Sequence, residues 1–133
     1  MKKCRYCDFY SQTDLALIPE YVAALIREIR LRRNAEKNGT KSPAKTVYFG
    51  GGTPSVIPLH DIETILNTLD HVFGVAKEAE ITFEANPGTL DQAYLNGLAG
   101  LGITRLSLGI QSFDPEKLSL LGRIHTPGQA VQA

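Results

Sequence analysis

Hydrophobic positions along the chain switch between two periods. From Pro19 to about Lys37, Tyr21, Val22, Leu25, Ile26, Ile29 and Leu31 fall mostly on one stripe, with Arg27, Glu28, Arg30, Arg32 and Arg33 on the rest. That spacing predicts an amphipathic helix. Pro19 suits its first turn and Asn38-Gly39 its stop, with a loop at Ser42-Pro43. Ile62, Ile65, Leu66, Leu69 and Val72 form the apolar side of a second helix over Pro58 to Phe73, and a third runs from about Leu90 to Leu101. Asp114-Pro115-Glu116 reads as the start of a fourth, ending near Gly122, with Asp114 as N-cap and Pro115 in the first helical position. Between the helices lie short β-prone runs at Thr46–Phe49, Glu80–Glu84 and Arg105–Ile110. The order loop, α, β, α, β, α, β, α predicts an α/β fold built of βαβ units around a parallel sheet.

The 133 residues suffice for one domain with a core but are short for a complete α/β barrel. Fourteen basic residues balance fourteen acidic ones, so no charge field points to a nucleic-acid partner. There is no leader-like segment, and no apolar run is long enough to form a transmembrane segment. Two closely spaced cysteines make no disulfide framework, and a reduced cytoplasmic setting is the default.

Each predicted strand ends in residues unsuited to packing alone: Gly50-Gly51-Gly52-Thr53, Glu84-Ala85-Asn86-Pro87 and Gln111-Ser112. Parallel α/β folds bind ligands at the C-terminal edge of their strands, so the three ends point to one shared site. The glycine run lacks the lysine and spacing of a phosphate-binding P-loop. Its bare backbone suits the ammonium and carboxylate of an amino-acid-like ligand. Glu84 can accept from ribose hydroxyls or pair with an ammonium, Gln111 can donate and accept, and Arg123 can pair with a carboxylate. The plainer readings are a flexible loop, a solvated strand-end carboxylate and a surface arginine.

Cys4 and Cys7 form a C-x-x-C at the start of the sequence. The spacing alone fits an iron–sulfur site, a zinc site, a thiol redox pair or an incidental pair. Zinc is disfavoured because His60, His71 and His125 make no closely spaced ligand pair, and thioredoxin-like chemistry because no strand precedes the cysteines. Tyr6 lies between them; for Tyr6, Phe9 and Tyr10 the plain reading is packing of the loop onto the first helix. The histidines are assigned no role.

Cys4-Arg5-Tyr6-Cys7-Asp8-Phe9, Gly50-Gly51-Gly52-Thr53-Pro54-Ser55, Glu84-Ala85-Asn86-Pro87-Gly88, Leu108-Gly109-Ile110-Gln111-Ser112-Phe113 and Leu121-Gly122-Arg123-Ile124-His125 occur in this order. Together they resemble the N-terminal half of the radical S-adenosylmethionine core in the HemN/HemW family. That family comprises oxygen-independent coproporphyrinogen III oxidases and related heme chaperones. Cys-Asp-Phe and Leu-Gly-Arg-Ile-His look more like the HemW type, with the oxidase, which decarboxylates coproporphyrinogen III, as the alternative.

The resemblance implies a partial (β/α)6 TIM-like barrel, a 4Fe-4S cluster and S-adenosyl-L-methionine. Cys4 and Cys7 would be the second and third cluster ligands of C-x3-C-x2-C. Tyr6, Gly51, Gly52, Thr53, Glu84, Gln111 and Arg123 would contact the cofactor. Reduction of the cluster would cleave the sulfonium to a 5′-deoxyadenosyl radical. Implied partners are heme or coproporphyrinogen III and an electron donor such as flavodoxin or ferredoxin. On this reading residues 1–133 are part of the core domain, without the first strand, the first cluster cysteine and the C-terminal half, and the sequence stops within the next helix. A truncated, inactive chain is then a further expectation.

Overall fold

The computed structural model describes residues 3–35 and 42–133. Three parallel strands, β1 (Ala44–Phe49), β2 (Val75–Ala85) and β3 (Arg105–Leu108), pair in the order β1-β2-β3. They alternate with α1 (Ile18–Ala35), α2 (Leu59–Phe73), α3 (Gln92–Gly100) and α4 (Pro115–Leu121), and α5 (Pro127–Gln132) occupies the stretch where a next helix is expected. The predicted α/β order is therefore borne out. The Asn38-Gly39 stop lies outside the described residues.

The helices give the sheet one dry face. Val22 and Ile29 of α1 and Ile65 of α2 are buried together, with Leu25, Ile26 and Phe49 packed around them. Ile62, Phe83 and Leu98 bury a second cluster between α2, β2 and α3, and Phe49 and Ile57 touch both. The Phe49 and Phe83 rings lie 5.4 Å apart and bind β1 to β2. Tyr21 and Leu31 do not join the stripe: they are 56% and 60% exposed, because the core-facing row of α1 runs through Ile18, Val22, Leu25, Ile26 and Ile29. The opposite face of the sheet is polar. Tyr48 is exposed on it, and Glu80 accepts from Thr82 and Arg105 across β2 and β3.

Caps set the helix ends. Asp91 accepts from the Tyr94 amide at 2.7 Å, so α3 begins at Gln92, two residues after the predicted Leu90. Asp114 accepts from the Glu116 and Lys117 amides, as the Asp-Pro-Glu pattern predicts. Thr126 and Gln129 form a reciprocal capping box that starts α5. β2 begins five residues before the predicted Glu80. Asp70 and Gly74 launch it at the end of α2, where Asp70 Oδ1 accepts from Val75 N at 2.8 Å. Its register against β1 shifts between Ala44 and Thr46, and the charged run Lys77-Glu78 hides the strand from a periodicity count. β3 ends at Leu108, two residues before the predicted Ile110, for a reason that lies in the site.

Candidate functional site

The three strand ends converge with the cysteine loop on one open cleft of about 380 Å³. Cys4, Cys7, Tyr6, Gly51, Gly52, Thr53, Glu84, Gln111 and Arg123 all line it. Every residue singled out from the sequence as a ligand or contact is thus brought to one place, although the sequence spreads them from residue 4 to residue 123.

Glu84 is fixed from two sides. The Tyr48 hydroxyl donates to its Oε1 at 2.6 Å, and the Gly51 amide donates to its Oε2 at 3.3 Å. The bond to the carboxylate raises the Tyr48 pKa above its ordinary 10. Tyr48 reaches Glu84 by folding back over the first glycine. A Cβ on Gly50 would lie 2.6 Å from the ring, so this placement of the Tyr48 ring requires a residue without one. The next loop is stitched to the glycine run through Ser55, which is 4% exposed. Its hydroxyl accepts from the Asn86 amide at 3.1 Å and shares a hydrogen bond with Thr89 Oγ1.

The other wall is built on Arg123. It follows Gly122, the left-handed residue (φ 74°) that ends α4. Its Nη1 donates to Cys4 Sγ at 3.3 Å, and its Nη2 donates to the Gly109 carbonyl. Its Nε is buried without a partner among the described residues. The cysteine loop rests on the same corner, where the Arg5 amide donates to the Leu121 carbonyl at 3.1 Å. The Cys7 amide donates to the Cys4 carbonyl at 3.2 Å, which turns the chain between the two thiols. Both cysteines are free. Burial pushes the Tyr6 phenol above its ordinary 10, with the nearby Arg123 guanidinium opposing it. Tyr6, Phe9 and Tyr10 are 49%, 65% and 89% exposed, and Tyr6 and Phe9 line the cleft.

A carboxylate on one side and a guanidinium with an unused, buried donor on the other suit a zwitterionic, amino-acid-like ligand. The residues therefore fit S-adenosylmethionine. For a cubane cluster the donor chemistry is right but the number is short. Two cysteines line the cleft, and among the described residues no group of three or more Cys, His, Asp or Glu side chains could hold a metal.

Sequence reasoning missed Tyr48 and His125. Alternation along β1 could have found the first, since Tyr48 shares a face with Thr46 and Gly50. The second follows Arg123 by two residues but is buried, 3% exposed, with Nε2 3.1 Å from the Ile110 carbonyl. Burial, and secondarily the Arg123 charge, lowers its pKa below the ordinary 6.5.

A parallel α/β sheet with a polar cleft at its C-terminal edge defines a cofactor- or substrate-binding α/β domain. The sequence model of the Radical SAM superfamily matches residues 1–133, and the chain belongs to that superfamily. It is 44% identical to the heme chaperone HemW of Synechocystis sp. over 99% of its own length and 32% of that protein's. It is 38% identical to the heme chaperone HemW of Escherichia coli, over 100% and 35% of the respective lengths. Among solved structures it superposes on coproporphyrinogen III oxidase (HemN) of Escherichia coli, a radical SAM enzyme. The TM-score is 0.87 at 26% identity, covering 98% of this chain and 30% of that one. The resemblance to the HemN/HemW group and the radical SAM barrel architecture are borne out. The chain spans about a third of the length of these relatives. No helix among the described residues is long and apolar enough to cross a membrane.

Proposed function

We propose that this chain carries the S-adenosylmethionine site of a HemW-type heme chaperone. The carrying observation is the convergence of the nine residues on one strand-end cleft. In this reading Glu84, held by Tyr48 and the Gly51 amide, accepts from the cofactor's ammonium or ribose hydroxyls. Arg123 offers its free Nε–H to the cofactor's carboxylate. Gly51, Gly52 and Thr53 give it backbone to lie against, Gln111 closes the third strand end, and Tyr6 flanks it. Cys4 and Cys7 would hold a 4Fe-4S cluster by two thiolates, and the cluster would supply an electron for reductive chemistry. Arg123 holds Cys4 in place for that role. The two cysteines present are one sulfur short of the three that the family motif carries.

Residues 1–133 are, in this proposal, part of a radical SAM core domain working in the cytoplasm, where free thiols persist. The whole protein would take heme as its cargo and an electron carrier of the flavodoxin or ferredoxin kind as its partner. A second reading, coproporphyrinogen III oxidase, is favoured by the superposition on HemN. Anaerobic titration of the whole, cluster-loaded protein separates the two. Stoichiometric heme binding, seen in the Soret band without decarboxylation of coproporphyrinogen III, is the expected result. Conversion to protoporphyrinogen IX would replace the chaperone reading with the oxidase.

A further inference from the structure

The third strand end turns through a strained residue. Gln111 has φ 69°, the only positive φ outside glycine among the described residues. The Ser112 amide donates to the Ile110 carbonyl at 2.9 Å across it. This is a three-residue γ-turn of the positive-φ kind, which is rare because it places Cβ against the backbone. Such a conformation persists only where its surroundings hold it. Among the described residues, one side chain hydrogen-bonds to the carbonyl that closes the turn. The Ile110 carbonyl receives a second donor, His125 Nε2, at 3.1 Å.

A carbonyl can only accept, so this contact assigns the proton to Nε2 and the lone pair to Nδ1. Nδ1 is buried with no partner among the described residues. The ring is thus buried at a cost, and its one polar contact is to the carbonyl that closes the turn. That turn is where β3 stops short of Ile110, and it carries Gln111 into the cleft beside Gly109 and Arg123. A Cβ on Gly109 would lie 3.5 Å from the Gln111 amide nitrogen and 3.7 Å from Arg123 Nη2.

We propose that His125 is a positioning residue: it clamps the Ile110 carbonyl, holds Gln111 in its left-handed turn and so aims the Gln111 amide at the ligand. Its effect on ligand binding rests on the S-adenosylmethionine reading above; its effect on the turn does not. Two variants separate donor from volume. His125→Leu fills a similar space without an N–H, and His125→Gln places an amide N–H where Nε2 stands. A third, Gln111→Gly, relieves the strain, since glycine adopts positive φ freely.

The readouts are Ser112 amide exchange by NMR and the affinity of the chain for S-adenosyl-L-methionine by calorimetry. His125→Leu speeds Ser112 exchange and weakens binding, each by about two- to tenfold, the range of one hydrogen bond. His125→Gln recovers most of both, and in the Gln111→Gly background Ser112 exchange no longer responds to residue 125. Unchanged Ser112 exchange in His125→Leu, or equal loss in the Leu and Gln variants, overturns the proposal. If His125→Leu speeds Ser112 exchange but the wild-type chain binds no S-adenosylmethionine, the clamp stands and the cofactor reading falls.

Discussion

Replacing Ser55 with alanine removes the atom that joins the first two strand-end loops. The Asn86 amide donates to Ser55 Oγ and to no other acceptor among the described residues. Ser55→Ala leaves that donor unpaired, at about 1–3 kcal/mol for a buried group. Asn86 itself is only half-buried, so water recovers part of the loss and the expected cost is about 1.5 kcal/mol. That is about tenfold in the folding equilibrium, or a fall of about 0.5–1.5 M in the urea midpoint at unchanged slope. Thr89→Val is the control. It removes the hydroxyl that pairs with Ser55 and donates to the Asn86 carbonyl at 2.8 Å. It leaves the Asn86 amide on Ser55 and the Thr89 amide on the Asn86 carbonyl at 2.9 Å, so each backbone group keeps a partner and the cost should be less. Urea unfolding followed by circular dichroism decides the matter. A midpoint unmoved by Ser55→Ala, or equal costs for the two variants, refutes the bridging role.

Three further outcomes follow from the same geometry. Because the folded-state pKa of His125 is lowered, chiefly by burial and secondarily by Arg123, the unfolded chain takes up a proton that the folded chain refuses. Stability is then full above the ordinary 6.5 and declines as the pH falls below it; urea midpoints of wild type and His125→Gln across that range should show the decline flattened in the variant. Gly122→Ala places a Cβ at φ 74° and 3.3 Å from the Arg5 side chain, costing about 1–2 kcal/mol from the backbone alone and loosening the cysteine loop, which cysteine alkylation rates would report. Gly50→Ala evicts the exposed Tyr48 ring from above the loop and frees Glu84; the thermal midpoint should move little while ligand affinity drops.

The strand ends were legible because glycine, proline and asparagine break periodicity at fixed places, and Asp114-Pro115 announces a helix start chemically. The rule that parallel strands share a C-terminal edge gathers Gly51, Gly52, Thr53, Glu84 and Gln111, while Cys4, Tyr6, Cys7 and Arg123 join them through the C-x-x-C and the family resemblance. What stayed hidden was tertiary. Tyr48 and Glu84 are 36 residues apart: alternation along β1 puts the tyrosine on the polar face, but nothing local names its partner. The role of His125 depends on a backbone carbonyl fifteen residues earlier, invisible to any side-chain pattern. The first half of β2 was lost because its pairing with β1 slips, so its charged residues satisfy neither strand nor helix periodicity.

The central claim, that the strand-end cleft receives S-adenosylmethionine, is tested most directly by adding it to the 15N-labelled chain and mapping the amide shifts. The account predicts saturable changes at Gly51, Gly52, Thr53, Ala85, Asn86, Gln111 and Ser112, lost in Arg123→Leu, with Val75 and Thr104 at the far strand ends unmoved. No saturable change, or changes gathered at Val75 and Thr104, would contradict it.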